Sequence, residues 1–326
     1  MDGARPALGS SAERLRHLYR FMAIRHFVAG RSELKRAGFS ATWIDSWLRT
    51  GRLIRLFRSV YAYGREVETR ASVWRGALLV AGPDSALTGR TGCEAWGMVR
   101  PRPGLPVEVE VGSPTGQAKR LRGWSPALAG TTVKVVKRDF EPDGVRIRDG
   151  LQLATPPLAL IDFAAGASER QVRFAFLEAC RLKLLSRRDL NFCFTRLAGR
   201  RGAKKLRPLL SLWVPELGRI KSVLEGWFLL TWREHGHPMP EINARIHGYE
   251  VDVFWPSSGI VLELDGGAFH GDPVQRRLDR QKQRDLEARG LTVVRITYRQ
   301  FEYDPPGNVA RVARSIEHAR LKLSVK

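Results

Sequence analysis

Cysteine is scarce in this chain of 326 residues: Cys93, Cys180 and Cys193 are odd in number and far apart. That spacing excludes a disulfide framework and a paired C-x-x-C zinc knuckle, and it fits a reducing cytoplasm. Long hydrophobic runs are missing too. The N-terminus has no apolar stretch of signal-peptide type, and nowhere do the roughly 18 consecutive apolar residues of a membrane span occur. A soluble cytoplasmic protein is expected, with no membrane as partner. The third scarcity is negative charge. Thirty-three acidic residues stand against 55 lysines and arginines, a net charge of +22 and an isoelectric point near 10.9. A chain this basic suits a polyanion, nucleic acid before an anionic surface. Much of the excess is arginine, whose planar fork fits phosphates and base edges better than lysine does. Between Leu190 and Pro215 no acid occurs at all, while Arg196, Arg200, Arg201, Lys204, Lys205 and Arg207 accumulate. That run is either a solvated helix face or linker, or a surface that tracks phosphates.

The length allows two or three domains. Segment 1–66 reads as three helices and a hairpin. "SSAERLRHLYRFMAIRH" places Leu15, Leu18, Phe21 and Met22 at helical spacing. Ser32 stands where an N-cap belongs before "ELKRAG", with Gly38 as the stop. Ser40 is a second cap, before "ATWIDSWLRT", with Gly51 closing that helix. "RLIRLFRSVYAYG" then alternates basic and apolar residues like a two-stranded ribbon. This is the order of a winged helix-turn-helix. Ile44, Trp47 and Leu48 would face its core. Thr42, Asp45, Ser46 and Arg49 would face a major groove, and Arg52, Arg55 and Arg58 would reach phosphates from the wing. A small helical domain with a protein partner has the same pattern.

Segment 67–195 reads as an α/β middle domain. "VWRGALLVAG" and "PLALIDFAAG" followed by "ERQVRFAFLEACRLKLL" suggest helices, and "LPVEVEVG" and "TTVKVVK" strands. Glycine and proline mark loops at 101–106 and 112–116. Asp162, in an apolar helix, reads as a cap or a satisfied polar group, and no catalytic constellation is visible.

Segment 196–326, with its basic lead-in at 196–220, carries the chemistry. "GYEVDVFW" and "GIVLELDG" read as consecutive strands joined by "PSSG". Side chains alternate along a strand, so Glu263 and Asp265 share a face, and the hairpin brings Asp252 toward them. Carboxylates gathered in an apolar sheet lose hydration and repel one another, at several kcal/mol each, unless a cation joins them. A divalent metal such as Mg²⁺ or Mn²⁺, bound by Asp252, Glu263 and Asp265, meets that need. Arginines such as Arg295 would meet it without a metal. His270, beyond Gly266–Gly267, suits acid–base work near neutral pH. Lys282, in the polar helix "RRLDRQKQRDLEARG", would hold charge on a transition-state phosphate, or simply pair within its helix. Glu225 either completes an S-x-x-E capping box with Ser222 or reaches the acidic cluster. His235 and His237 lack matching cysteines and do not suggest zinc.

The stretch "SVLEGWFLLTWREHGHPMPEINARIHGYEVDVFWPSSGIVLELDGGAFH…LDRQKQRDLEARGLTVVRITYRQF" resembles the Vsr-like branch of the PD-(D/E)XK nuclease superfamily over about residues 218–320. The resemblance implies a restriction-endonuclease-like α/β core with a central mixed sheet, and Mg²⁺-dependent cleavage of DNA. It makes Asp252 and Glu263 metal ligands and matches His270 and Glu225 to the family's histidine and helical glutamate. Asp265 stands where many members have lysine, which leaves Lys282 as the candidate cation, and Val251 replaces the proline of the superfamily's name. "RSELKRAGFSATWIDSWLRTGRLIRLFRSVYAYG" is similar to the winged helix of AbiEi-type antitoxins of type IV toxin–antitoxin systems, and "SALTGRTGCEAWGM" and "DGLQLATPPLALIDFAA" to the domain that follows it there. That similarity implies binding of double-stranded DNA, transcriptional repression and a cognate toxin encoded elsewhere. Two half-sites would be met by a homodimer. The expectation is therefore an α/β multidomain protein, either a metal-dependent endonuclease delivered to DNA by a winged helix or an antitoxin-like repressor whose nuclease-like domain is inactive.

Overall fold

The computed structural model describes residues 10–64, 69–115, 119–123, 128, 130–141, 143–266 and 273–324. It is a mixed α/β chain of several sheets. Residues 10–64 form α1 (Ser11–Ala23), β1 (Val28–Gly30), α2 (Arg31–Arg36), α3 (Ala41–Arg49), β2 (Leu53–Phe57) and β3 (Val60–Tyr63), with a three-stranded sheet in the order β1-β3-β2. Ser10 and Glu13 form a capping box at the start of α1, and the Ser40 hydroxyl accepts the Trp43 N–H at 3.2 Å to start α3. Ser32 is not a cap. The second helix starts earlier, at Arg31 with Gly30 as its N-cap, where the Glu33 carboxylate accepts the Gly30 N–H at 2.9 Å. Leu18, Met22, Leu34, Phe39, Ile44 and Trp47 close one core over these helices.

Next come α4 (Arg70–Ala81), β4 (Ala86–Leu87), α5 (Gly89–Trp96), β5 (Glu108–Ser113), β6 (Lys119–Arg122), β7 (Thr132–Lys137), β8 (Val145–Arg148), β9 (Leu151–Ala154) and α6 (Pro156–Gly166). The six strands make one mixed sheet, β6-β7-β5-β4-β9-β8. The expected loop at 112–116 begins later, since β5 runs through Ser113. The hairpin β2–β3 is not a free-standing wing. Leu56, Phe57, Val60 and Ala62 share a core with Val73, Ala77 and Leu78 of α4 and with Val109 and Val111 of β5. The fit is close: a Cβ added at Gly76 would lie 3.1 Å from the Phe57 ring.

The remainder comprises α7 (Glu169–Arg181), α8 (Arg187–Arg196), α9 (Ala203–Ser211), α10 (Val223–Glu234), β10 (Glu241–Ile246), β11 (Tyr249–Trp255), β12 (Ile260–Asp265), α11 (Pro273–Glu287), β13 (Thr292–Thr297), α12 (Tyr298–Tyr303) and α13 (Pro305–Ser324). Its sheet, β10-β11-β12-β13, is antiparallel except for the parallel pair β12–β13. Phe228 and Trp232 of α10 pack on Trp255 of β11, while Leu286 of α11 packs with Val261, Val293 and Phe254.

Contact density divides the chain into two compact units, Met1–Ser168 with Thr195–Ala203, and Glu169–Phe194 with Lys204–Lys326. Within the first unit the hairpin and the six-stranded sheet share one core. Among the described residues no helix is long and apolar enough to cross a membrane. The three cysteines are free and buried, and burial pushes the thiols of Cys180 and Cys193 up to about 12.

Asp162 is a satisfied polar group, in keeping with its place in an apolar helix. It is nearly buried, accepts from the Thr88 hydroxyl at 2.6 Å and from Arg138 Nε at 3.1 Å, and has Arg200 at 3.6 Å. Replacing it leaves two partly buried guanidiniums without their counter-ion. Asp162→Ala is expected to lower unfolding free energy by about 3 kcal/mol, read from urea melts. A loss below about 1 kcal/mol would show that the cluster is solvated rather than structural.

Candidate functional site

The C-terminal sheet aligns its polar residues in one row. Ile242 pairs with Val253 and Ala244 with Val251, which sets Asn243 opposite Asp252. Val253 pairs with Leu262, which sets Asp252 opposite Glu263, and Glu263 itself pairs with Arg295. Asn243, Asp252, Glu263 and Arg295 thus cross all four strands. Directly opposed positions bring side chains about 5 Å apart, close enough for two carboxylates to repel.

Each carboxylate is held differently. Asp252 Oδ2 accepts the Leu264 N–H at 2.7 Å. Burial, and then the Glu263 charge, raise its carboxyl to about 7 despite that bond. Burial also raises Glu263, with Lys282 opposing. Lys282 Nζ lies 2.7 Å from Glu263 Oε1, yet that buried oxygen lacks an aligned hydrogen-bond donor. The contact is therefore an ion pair by distance, not a well-directed hydrogen bond. Asp265, less buried, has Arg295 Nη1 at 3.5 Å.

Glu225 does not close a capping box, since its carboxylate accepts the N–H of Lys221 and not that of the N-cap Ser222. The Ser222 hydroxyl caps α10 by accepting the Glu225 N–H at 3.1 Å. The Glu225 carboxylate is 4% exposed, accepts the Lys221 N–H at 2.9 Å, and lies close enough to Asp252 to help raise it. Asn243 completes the arrangement, with Nδ2 donating to Glu225 Oε2 at 3.3 Å and to the Arg219 carbonyl at 3.0 Å. To do so it adopts φ +50°, a left-handed conformation that asparagine tolerates better than most residues. Asn243 and Lys221 had no signal in the sequence beyond an asparagine inside an otherwise alternating strand.

The structure thus brings together Glu225, Asp252, Glu263, Asp265 and Lys282. His270 lies outside the described residues. Among the described residues, no three His, Cys, Asp or Glu side chains form a group suited to holding a metal ion. Two cations already lie on two of the carboxylates.

In the N-terminal segment, Thr42, Arg49, Arg52, Arg55 and Arg58 are exposed and Ser46 is half-buried. Ile44 and Trp47 are buried beneath them and Leu48 is half-buried. Arg49, Arg52, Arg55 and Arg58 make no ion pair among the described residues. The basic run behaves otherwise. Arg196 pairs with Glu141 and Arg200 with Asp162, both inside the first unit, so two of its arginines serve packing.

No family model matches the chain. Two uncharacterized proteins of Mycobacterium tuberculosis, from the strains CDC 1551 and H37Rv, are each 29% identical to it over 176 residues, 52% of this chain and 64% of theirs. The match thus spans less than two thirds of those relatives.

The Asp252 carboxyl, at about 7 in the folded chain, contrasts with about 3.9 for an unfolded aspartate. Between those values the folded protein keeps a proton that the unfolded chain has lost, so this residue makes stability fall as pH rises from about 4 to about 7. Asp252→Asn keeps an oxygen for the Leu264 N–H and cannot ionise. In metal-free urea melts it is expected to flatten that fall and to exceed wild type at pH 8 by on the order of 2 kcal/mol. A wild-type pH profile in the variant would contradict the placement of Asp252.

Proposed function

We propose that this chain is a DNA-binding protein whose C-terminal unit hydrolyses DNA phosphodiesters with a divalent metal. The observation that carries the proposal is the convergence of Glu225, Asp252, Glu263, Asp265 and Lys282 around one row of a mixed sheet in a chain of net charge +22. In this reading residues 10–64 are a winged helix-turn-helix that grips double-stranded DNA, and the C-terminal sheet with its flanking helices is a restriction-endonuclease-like core of the Vsr-like kind. The buried free thiols fit a reducing cytoplasm.

The donor type is the one Mg²⁺ or Mn²⁺ takes, and holding the ion would require the carboxylates to draw together from the places they occupy here. All are oxygen donors, and the buried Glu263 Oε1 has no aligned donor of its own. Asp252 and Glu263 would hold the ion with Asp265, and once bound it supplies Lewis-acid polarisation and a more acidic water. The chain's own groups supply the rest. Lys282 sets a positive charge beside Glu263, where a phosphate oxygen gains charge. Arg295 orients Asp265, and Glu225, held by Asn243, stands beside Asp252. His270, which lies outside the described residues, would by the resemblance exchange a proton with water or the leaving oxygen.

One observation favours a second reading. Lys282 and Arg295 already neutralise Glu263 and Asp265, as they would in an antitoxin-like repressor, with a cognate toxin and a homodimer on two half-sites, whose nuclease-like unit is inactive. Incubation of supercoiled plasmid with Mg²⁺ or Mn²⁺ separates the two. Nicking by wild type but not by Glu263→Ala or Asp252→Asn is expected of the nuclease. A mobility shift without cleavage by any of the three supports the repressor. In both, Arg55→Ala is expected to weaken duplex binding and to flatten its salt dependence by about 0.9 in log–log slope. An unchanged slope would remove Arg55 from the contact surface.

A further inference from the structure

The surface assigned to DNA carries one group that repels it. Asp45 sits on the outer side of α3, about one turn from both Thr42 and Arg49, with its side chain 52% exposed. Arg31, at the start of α2, grips it in a fork, with Nη1 donating to Oδ1 at 2.8 Å and Nη2 to Oδ2 at 3.1 Å. Tyr61 steadies the guanidinium, its hydroxyl accepting from Nη1 at 3.3 Å. Asp45, Leu48, Arg49, Gly51, Leu53, Ile54 and Arg55 line an open recess of about 490 Å³ between α3 and the hairpin. The carboxylate therefore shares a concave face with Arg49 and Arg55, which make no ion pair among the described residues.

Stability gives this pair little reason to exist. An exposed ion pair contributes roughly 0–1 kcal/mol, and α2 and α3 are already joined through Leu34, Ile44 and Trp47 in a common core. Its effect on a ligand is larger. The fork uses one lone pair on each carboxylate oxygen and leaves the others able to accept. Arginines alone would attract every phosphate alike. A carboxylate held among them is satisfied only by a donor, such as an exocyclic amino group of cytosine, and is penalised where none is offered.

We infer that Asp45 is a specificity-determining residue of the DNA surface, accepting a hydrogen bond from a base amino group while its grip on Arg31 keeps that guanidinium off the phosphates. This rests on the DNA-binding reading of residues 10–64. It trades general affinity for discrimination, so removing Asp45 strengthens binding where sequence does not matter and weakens preference where it does.

The experiment is selection from a randomised duplex library by full-length wild type, Asp45→Ala and Asp45→Asn in parallel, with salt titrations on a random-sequence duplex. Circular dichroism checks that each variant is folded, and alanine in an exposed helix position favours folding. Wild type is expected to enrich a consensus containing a base pair that both variants no longer select. The variants should bind the random duplex roughly severalfold more tightly at about 0.1 M salt, with a slope steeper by about 0.9 for the phosphate contact that Arg31 gains. Folded variants with the wild-type consensus and slope would overturn the role of Asp45 while leaving DNA binding intact. Folded wild type that retains no duplex even at low salt would overturn both.

Discussion

Two carboxylates face each other across adjacent strands of the C-terminal sheet, and the polar groups immediately around them answer the repulsion between them. Asp252 and Glu263 are fixed opposite each other by the register of β11 and β12, so neither can turn away without leaving its strand. Burial makes each charge costly and proximity makes the second costlier still. The neighbouring elements respond. Helix α11 brings Lys282 to Glu263, one turn before Leu286 anchors the same helix in the core. Strand β13 places Arg295 beside Glu263 and lends its guanidinium to Asp265. On the far edge, Asn243 takes a left-handed backbone so that its amide can hold Glu225. The result is an acidic centre enclosed by its own cations.

The chain's positive charge is unevenly used for the same reason. Arg138 and Arg200 sit on Asp162, Arg70 on Glu94, and Arg75 on Glu33, each binding one element to another. Arg49, Arg52 and Arg55, on α3 and along β2, make no such pair among the described residues and are exposed. Net charge is a property of composition, whereas the field at a surface depends on which cations have been spent internally. Here the hairpin keeps its arginines available because the opposite side of β2 and β3 is buried against α4, which leaves only the basic side to solvent.

Much of this was legible in the residues. The α3 helix followed from Ser40, Gly51 and the spacing of Ile44, Trp47 and Leu48, since caps and periodicity are local signals. The β11–β12 hairpin followed from alternation and the "PSSG" turn, and with it the approach of Asp252 to Glu263. What escaped notice depends on distant partners. Ser32 has the chemistry of a cap, yet the competing carboxylate of Glu33 settles where α2 begins. Strands as short as β4, Ala86–Leu87, have no periodicity to read and exist because β5 and β9 flank them. Glu225 carried two meanings that sequence alone could not choose between: Ser222 caps the helix by itself, while the Glu225 carboxylate turns to Lys221 and Asn243. The basic run from Arg196 looked uniform, but Glu141 and Asp162, remote in sequence, decide which of its members are surface.

The path of the chain between its two compact units has a consequence for heredity. Residues 169–194 belong with the C-terminal unit, and the next nine, Thr195–Ala203, belong with the first. Gly202 is pressed so closely on the Ala164 backbone that a Cβ would come within 2.4 Å of it, while Phe174 of α7 packs edge-on against Trp227 of α10. No single break in the polypeptide therefore yields two intact pieces. Recombination that exchanged one half of the gene for another would leave a core lacking part of its wall.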